Sequence, residues 1–301
     1  MMPLRQRPPL RALLIDASGT LHIGFTPTPR AVDALFPLQA SCIPYRICSN
    51  TSKESTHDVS QRLRGLGFDV QATPKPDYKG PREVWTSIGS VRRVMEDLGV
   101  RRPYLLLSDS ARAELQIGPS SKEDDKTAFD AVVVGLCPAR LDYTHLNTAF
   151  RILAREHPAR SPDQPVLIAA HTGRFFESSN GGLALGPGPF VAALEHAVPG
   201  VKAQVVGKPT RTFFETVIAD IYAYGSVHGD EIVTAPPESR VAIIGDDIEA
   251  DLGEGALELG LWRVLVRTGK YRPGDETRTP YPPDEVVDSF ADFIDGFLGS
   301  F

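Results

Sequence analysis

The chain has 301 residues, of which 42% are hydrophobic and 23% charged, and its formal net charge is -6 at pH 7. That suffices for one large α/β domain or two medium ones, and the acid excess excludes a general nucleic-acid binder, which needs a basic face. The three cysteines, Cys42, Cys48 and Cys137, form no close pair and give neither a disulfide framework nor a zinc cluster.

The first twelve residues, MMPLRQRPPLRA, are basic and broken by proline, without the apolar core of a secretory signal. No apolar run approaches the roughly 20 residues that span a bilayer, so a cytoplasmic protein without membrane partners is the expectation. Ala12–Ile15 is the first continuously apolar run and reads as a buried strand. It runs into Asp16 and then Ser18-Gly19-Thr20. A helical pattern over Pro29–Leu38 precedes a second strand, Tyr45–Cys48, which ends in Ser49-Asn50-Thr51 before a helix over Ser52–Leu66.

Residues 72–81, ATPKPDYKGP, are composed for a loop or hinge. Beyond them, helices over Thr86–Leu98 and Leu141–Glu156 alternate with strands Leu105–Leu107, Ala131–Val134 and Val166–Ala170, with a solvated loop at 120–126. His171 and Arg174 follow the last of these strands. A second hinge composition, SSNGGLALGPGPF, occupies 178–190. Then come a helix over Pro189–His196, strand Gln204–Val206 leading to Lys208, and a helix over Thr210–Tyr224. Strand Val241–Ile244 leads to GDDIEAD, strand Trp262–Val266 follows, and residues 273–301 end in an amphipathic helix. Alternating strands and helices imply a parallel sheet covered on both faces. The number of units exceeds one small domain, so one domain is expected over 1–80 plus 185–301, and an inserted α/β domain over 81–184.

Four strands of the first domain thus end in chemistry: Asp16, then Ser49-Asn50-Thr51, then Lys208, then Asp246, Asp247 and Asp251. The carboxyl ends of parallel strands share one edge of the sheet, where ligands bind. Taken singly, each is bland: an aspartate after an apolar run is most often a turn or cap residue, SNT suits a helix N-cap, and GDDIEAD suits a first helical turn. Together they describe a site. Two facing carboxylates resist ionising unless a cation lies between them, oxygen-only ligands suit magnesium, and an ammonium and a hydroxyl suit phosphate oxygens. An aspartate so placed can attack phosphorus.

DASGTL, SNT, GKP and GDDIEAD resemble the four motifs of the haloacid dehalogenase superfamily of phosphohydrolases. The insertion is similar to the type-two cap of its NagD-like group (subfamily IIA), on a Rossmann-like core. The resemblance implies that Asp16 is the nucleophile and a Mg2+ ligand, that Ser18 gives the ion its backbone carbonyl, and that Asp246 binds it directly, with Asp247 and Asp251 nearby or through water. It implies that Ser49, Asn50 and Thr51 hold the phosphoryl group and that Lys208 steadies phosphate and nucleophile. The cap would close over the crevice and select the substrate, with His171 and Arg174 as its polar candidates. Relatives with this cap often pair, which leaves a homodimer open.

Most phosphatases of the superfamily carry a second aspartate where this chain has Ser18. A positioned acid–base group is worth about 10²–10⁴ in rate, and its loss matters least when the leaving group departs easily. The expectation is a phosphohydrolase of small phosphorylated compounds or phosphoprotein side chains that favours P–N bonds or pyrophosphate. A general phosphomonoesterase, a weakly active or non-catalytic phosphate-binding protein, and a phosphotransferase are the alternatives.

Overall fold

A computed structural model describes residues 6–71, 83–115, 128–159, 163–177, 182–228 and 238–299. The chain begins with strand β1 (Leu10–Asp16), the short strands β2 (His22–Ile23) and β3 (Thr26–Pro27), helix α1 (Ala31–Ala40), β4 (Tyr45–Ser49) and α2 (Thr56–Gly65). Next come β5 (Val84–Thr86), α3 (Ser87–Asp97), β6 (Pro103–Leu106), α4 (Asp109–Glu114), β7 (Ala131–Val134), α5 (Tyr143–Leu153) and β8 (Val166–Ala169). A hairpin of β9 (Phe175–Glu177) and β10 (Leu183–Leu185) leads to α6 (Gly188–Ala197) and β11 (Gln204–Val205). The chain continues through α7 (Arg211–His228), β12 (Arg240–Gly245), α8 (Glu254–Glu258) and β13 (Trp262–Val266), and ends with α9 (Asp275–Arg278), β14 (Glu285–Val287) and α10 (Phe290–Leu298).

Two compact units result. The first takes Met1–Ser49, Ser60–Trp85 and Lys208–Phe301, and the second takes Asn50–Val59 and Thr86–Gly207. The first unit is built on a six-stranded sheet of order β14-β13-β12-β1-β4-β5. β1 is parallel to both β4 and β12, and β12–β14 are parallel in turn. Leu13, Leu14 and Ile15 are fully buried because the sheet is covered on both faces, which is why the strand reads as an unbroken apolar run. On one face Phe213, Phe214, Val217 and Ile221 of α7 pack against Ala12, Leu14 and Ile243. The carboxyl-terminal helix forms as expected and buries Phe290, Phe293, Ile294 and Phe297. Strand order reverses about β1, so the carboxyl ends of β1 and β12 flank the switch point at which such sheets open a crevice.

The second unit has a four-stranded parallel sheet of order β11-β8-β7-β6. Alternate residues of its strands enter separate cores. Val132, Val134, Leu167 and Ala169 pack with Ile152 and Leu153 of α5 and Leu194 of α6. Val133, Ile168 and Ala170 pack with Ile88, Val91 and Met95 of α3. A period of two with both faces covered again removes any polar alternation.

The α/β class and the inserted second domain are as expected; the joints differ. Gln204–Val206, expected to lie in the first sheet, pairs with β8 of the second through Gln204 and Val205, so the return crossing falls at Lys208 and not at 185. The stretch 178–190 is no hinge in its described part: it supplies β10 and the start of α6 within the second unit. Residues 72–81 lie outside the described residues. Their flanks, Gln71 and Glu83, hydrogen-bond to each other in the first unit, Glu83 N to Gln71 O at 3.1 Å and Gln71 N to Glu83 Oε2 at 2.7 Å. Apart from the short stretch Asn50–Val59, which counts with the second unit, the outward crossing comes later, at Trp85–Thr86. Among the described residues no helix is long and apolar enough to cross a membrane.

Candidate active site

Asp16 is the last residue of β1, in register with Cys48 of β4, and Asp246 directly follows β12. The two carboxylates therefore come from adjacent strands. Lys208 enters from the return crossing and is 1% exposed. Its ammonium donates to Asp16 Oδ1 at 2.5 Å and to Asp251 Oδ1 at 2.8 Å. Burial works against that charge, but Asp16 and Asp251 outweigh it and hold Lys208 well above the usual lysine range. Lys208 is a fixed cation, unable to serve as a base.

Asp16 Oδ2 and Asp246 Oδ1 are buried and have no hydrogen-bond partner. Such atoms are costly unless something pairs with them. Burial first, then Asp251, pushes the Asp16 pKa up to about 6 even though Lys208 pulls it down. Burial, then Asp16 and Asp251, holds Asp246 well above the carboxylate range. One oxygen from each of Asp16, Asp246 and Asp251 falls within 4.8 Å of the others. Two orphaned oxygens among three hard donors fit a divalent cation of the magnesium and calcium type.

Asp247, expected among the metal ligands, is committed elsewhere. Its Oδ1 accepts from the main-chain N–H groups of Glu249 at 3.1 Å and Ala250 at 2.9 Å, and its Oδ2 accepts from Lys270 Nζ at 3.0 Å. Burial would raise its pKa, but Lys270 and these N–H groups bring it below the ordinary value. The acid-rich turn folds over itself, and one of its carboxylates is used to cap it.

Sequence reasoning missed Lys270 and its neighbours. Lys270 N–H donates to Asp246 Oδ2 at 2.6 Å, and Thr268 Oγ1 donates to Gly19 O. Gly19 and Gly269 both have left-handed φ, at 101° and 56°. A Cβ on Gly19 would fall 1.9 Å from Asp246 Oδ2, and one on Gly269 would fall 2.1 Å from the same atom. The Asp246 carboxylate is thus seated between two glycine backbones, and only glycine fits on either side. The available signal was a fifth strand end, TGK after β13.

Ser18 stands exposed in the turn after β1, bridged to His22. His22 is the titratable group nearest after it in sequence, and both ring nitrogens are engaged. Nδ1 donates to Gly24 O at 2.9 Å, and Nε2 accepts from Arg62 Nη1 at 3.0 Å. Burial, then Arg62, lowers its pKa to about 4, so the ring is uncharged at neutral pH and its one N–H proton is engaged by Gly24 O. Ser49 is buried at the end of β4. Asn50 and Thr51 belong to the second unit, where Thr51 O accepts from Ser87 Oγ at 3.0 Å. His171 and Arg174 lie there too. His171 Nδ1 accepts from Gly173 N–H at 3.2 Å and Nε2 bonds Ser52 Oγ at 3.2 Å, while Arg174 is exposed. The ring of His171 thus bonds its own loop on one side and the segment that follows β4 on the other.

Residues 13–117 match the family described as haloacid dehalogenase-like hydrolase, and residues 205–293 match a second family described as HAD-hydrolase-like. The chain is 39% identical over 289 residues to human haloacid dehalogenase-like hydrolase domain-containing protein 2, covering 96% of each. It is 32% identical to human phospholysine phosphohistidine inorganic pyrophosphate phosphatase, over 96% of this chain and 94% of that protein. The solved structure of NagD from E. coli K-12 shares the fold with a TM-score of 0.71 at 18% identity, over 94% of this chain and 98% of that one. Likeness that runs through both units and along almost the whole length of its relatives places the chain, a hydrolase, in the haloacid dehalogenase-like family.

Proposed function

We propose that this hydrolase is a magnesium-dependent phosphatase that works through an aspartyl-phosphate on Asp16 and favours P–N bonds and pyrophosphate over alkyl monoesters. The observation that carries the reading is Asp16 itself: a buried carboxylate with one oxygen on a fixed ammonium and the other unpartnered beside Asp246. Asp16 and Asp246 would hold the divalent ion, which when bound offsets the charge of carboxylates and phosphate.

An oxygen of Asp16 forms a bond to phosphorus as the P–N or P–O bond breaks, and the electron pair departs with the leaving nitrogen or oxygen. Water then attacks phosphorus, releasing inorganic phosphate and restoring the carboxylate. Lys208 keeps Asp16 oriented and offsets the phosphoryl charge. Ser18 offers no carboxyl to protonate the leaving atom, and His22 is occupied. Leaving groups that need little protonation therefore suit the site: imidazole has a reference pKa of about 6.5, and phosphate a second pKa of about 6. The relative named for phospholysine, phosphohistidine and inorganic pyrophosphate supports this choice. Phosphate release with magnesium from imidodiphosphate, phosphohistidine and an alkyl monoester tests it. Release should be fastest from the first two and vanish in Asp16→Asn; preference for the alkyl ester would refute the substrate class, and an active Asp16→Asn the mechanism.

A further inference from the structure

Four carboxylates, Asp16, Asp246, Asp247 and Asp251, meet two ammonium groups, Lys208 and Lys270. With all of them ionised the cluster carries two surplus negative charges, the complement of a single divalent cation. Lys208 is accounted for by the nucleophile. Lys270 is not: its ammonium sits on Asp247, the one acid of the four outside the cation-binding trio. Its main-chain N–H meanwhile takes Asp246 Oδ2 and leaves Oδ1 as the open oxygen. One residue thus retires one carboxylate and aims another.

We propose that Lys270 is a positioning residue that sets the charge of the cation site, neutralising Asp247 so that the cluster takes one divalent ion and still admits a phosphate anion. This rests on the phosphatase reading above. Without Lys270 the surplus rises to three negative charges and Asp247 Oδ2 is released. The divalent ion is then held more tightly, while an incoming anion meets more repulsion. A side chain that merely braced the fold would, on removal, weaken both. The opposed signs distinguish the two roles.

The test is calorimetric titration of the full-length protein with magnesium chloride at about pH 8, with melting temperatures recorded alongside. Lys270→Met should bind magnesium about tenfold more tightly, the scale of one unit charge nearby in a partly screened site. Asp247→Asn should bind it about tenfold more weakly, and Asp247→Asn/Lys270→Met should return close to wild type because the surplus charge is again two. Inorganic phosphate titrated into the magnesium-loaded protein should bind Lys270→Met more weakly. Unchanged or weaker magnesium binding by a folded Lys270→Met overturns the proposal. If that variant fails to fold, unchanged binding by Asp247→Asn overturns it. Wild type that hydrolyses the substrates while these shifts are missing removes the role of Lys270 alone; the shifts without hydrolysis remove the phosphatase reading alone.

Discussion

Lys208 Nζ lies 2.5 Å from Asp16 Oδ1, and both side chains are buried. The same ammonium is 2.8 Å from Asp251, so one cation serves two carboxylates that have little water to fall back on. Removing one partner of a buried ion pair costs about 3–5 kcal/mol, because the other charge stays behind. Lys208→Met is expected to lower the melting temperature by about 10 °C and to abolish phosphate release. Added magnesium should recover part of the stability by standing in for the lost positive charge. A variant that melts like wild type in metal-free buffer would mean that the acids are not ionised around Lys208.

Asp246 makes the opposite prediction for stability. Its folded pKa is raised, above all by burial, so above the ordinary carboxylate range this acid costs the metal-free fold stability. An asparagine keeps an oxygen for the Lys270 N–H and removes the charge. Asp246→Asn should raise metal-free stability, on the scale of about 1–3 kcal/mol for relieving an unsatisfied buried group, and should lose the magnesium-dependent rise in melting temperature that wild type shows. Melting curves with and without magnesium check both halves. A variant less stable than wild type in chelator contradicts the account.

The site was legible where side-chain identity and strand position both carry information. Asp16 and Asp246 follow continuous apolar runs, and a fully covered parallel sheet produces that pattern whatever the chain does next. Gln204–Val206 reads the same way, yet its two paired residues join the other sheet. A stretch that short does not encode which edge it will meet. Pro- and Gly-rich composition marked loops, but the crossings that bound the long insertion fall at Trp85–Thr86 and Gly207–Lys208, and the short stretch Asn50–Val59 also counts with the second unit. Lys270 stayed hidden because half its work is done by a main-chain N–H. Asp247 accepts from its own turn and from Lys270, a use that an acid-rich stretch does not announce.

His22 supplies a test by pH. Its folded pKa is about 4 against 6.5 for the free side chain, with burial the main cause and Arg62 next. Between these values the unfolded chain binds a proton that the native one refuses. The contribution of His22 is therefore full above pH 6.5 and declines as pH falls toward 4, by about 1.4 kcal/mol per unit at most. His22→Gln has no such proton. Urea denaturation of both proteins from pH 7.5 to 4.5 should show wild type losing its advantage, or growing worse than the variant, as acid is added; parallel curves would mean that His22 titrates normally. Asp16 and Asp246, whose pKa values are raised, act in the opposite sense over much of this range, so only the difference between the proteins is diagnostic.

Ser18 carries the last expectation. The residue is exposed in the turn that follows Asp16, and the next residue is pinned through both its main-chain groups, by Gly19 N–H to His22 O at 2.7 Å and by Thr268 Oγ1 to Gly19 O. A replacement at this position inherits an anchored backbone, so a carboxyl introduced there is delivered on a rigid element. Ser18→Asp adds an acid that can protonate a departing alkoxide and afterwards draw a proton from water, a function worth about 10²–10⁴ when well placed. The gain should appear for alkyl monoesters, whose leaving oxygen needs the proton, and should be small for phosphohistidine or pyrophosphate, which leave without it. The added negative charge near Asp16 should also lower the magnesium concentration that catalysis requires, since a more negative cluster holds a divalent cation more tightly. Steady-state rates across the three substrate types decide the matter: uniform improvement would assign the effect to general electrostatics, and no improvement with any substrate would remove proton transfer as the ground for the proposed preference among leaving groups.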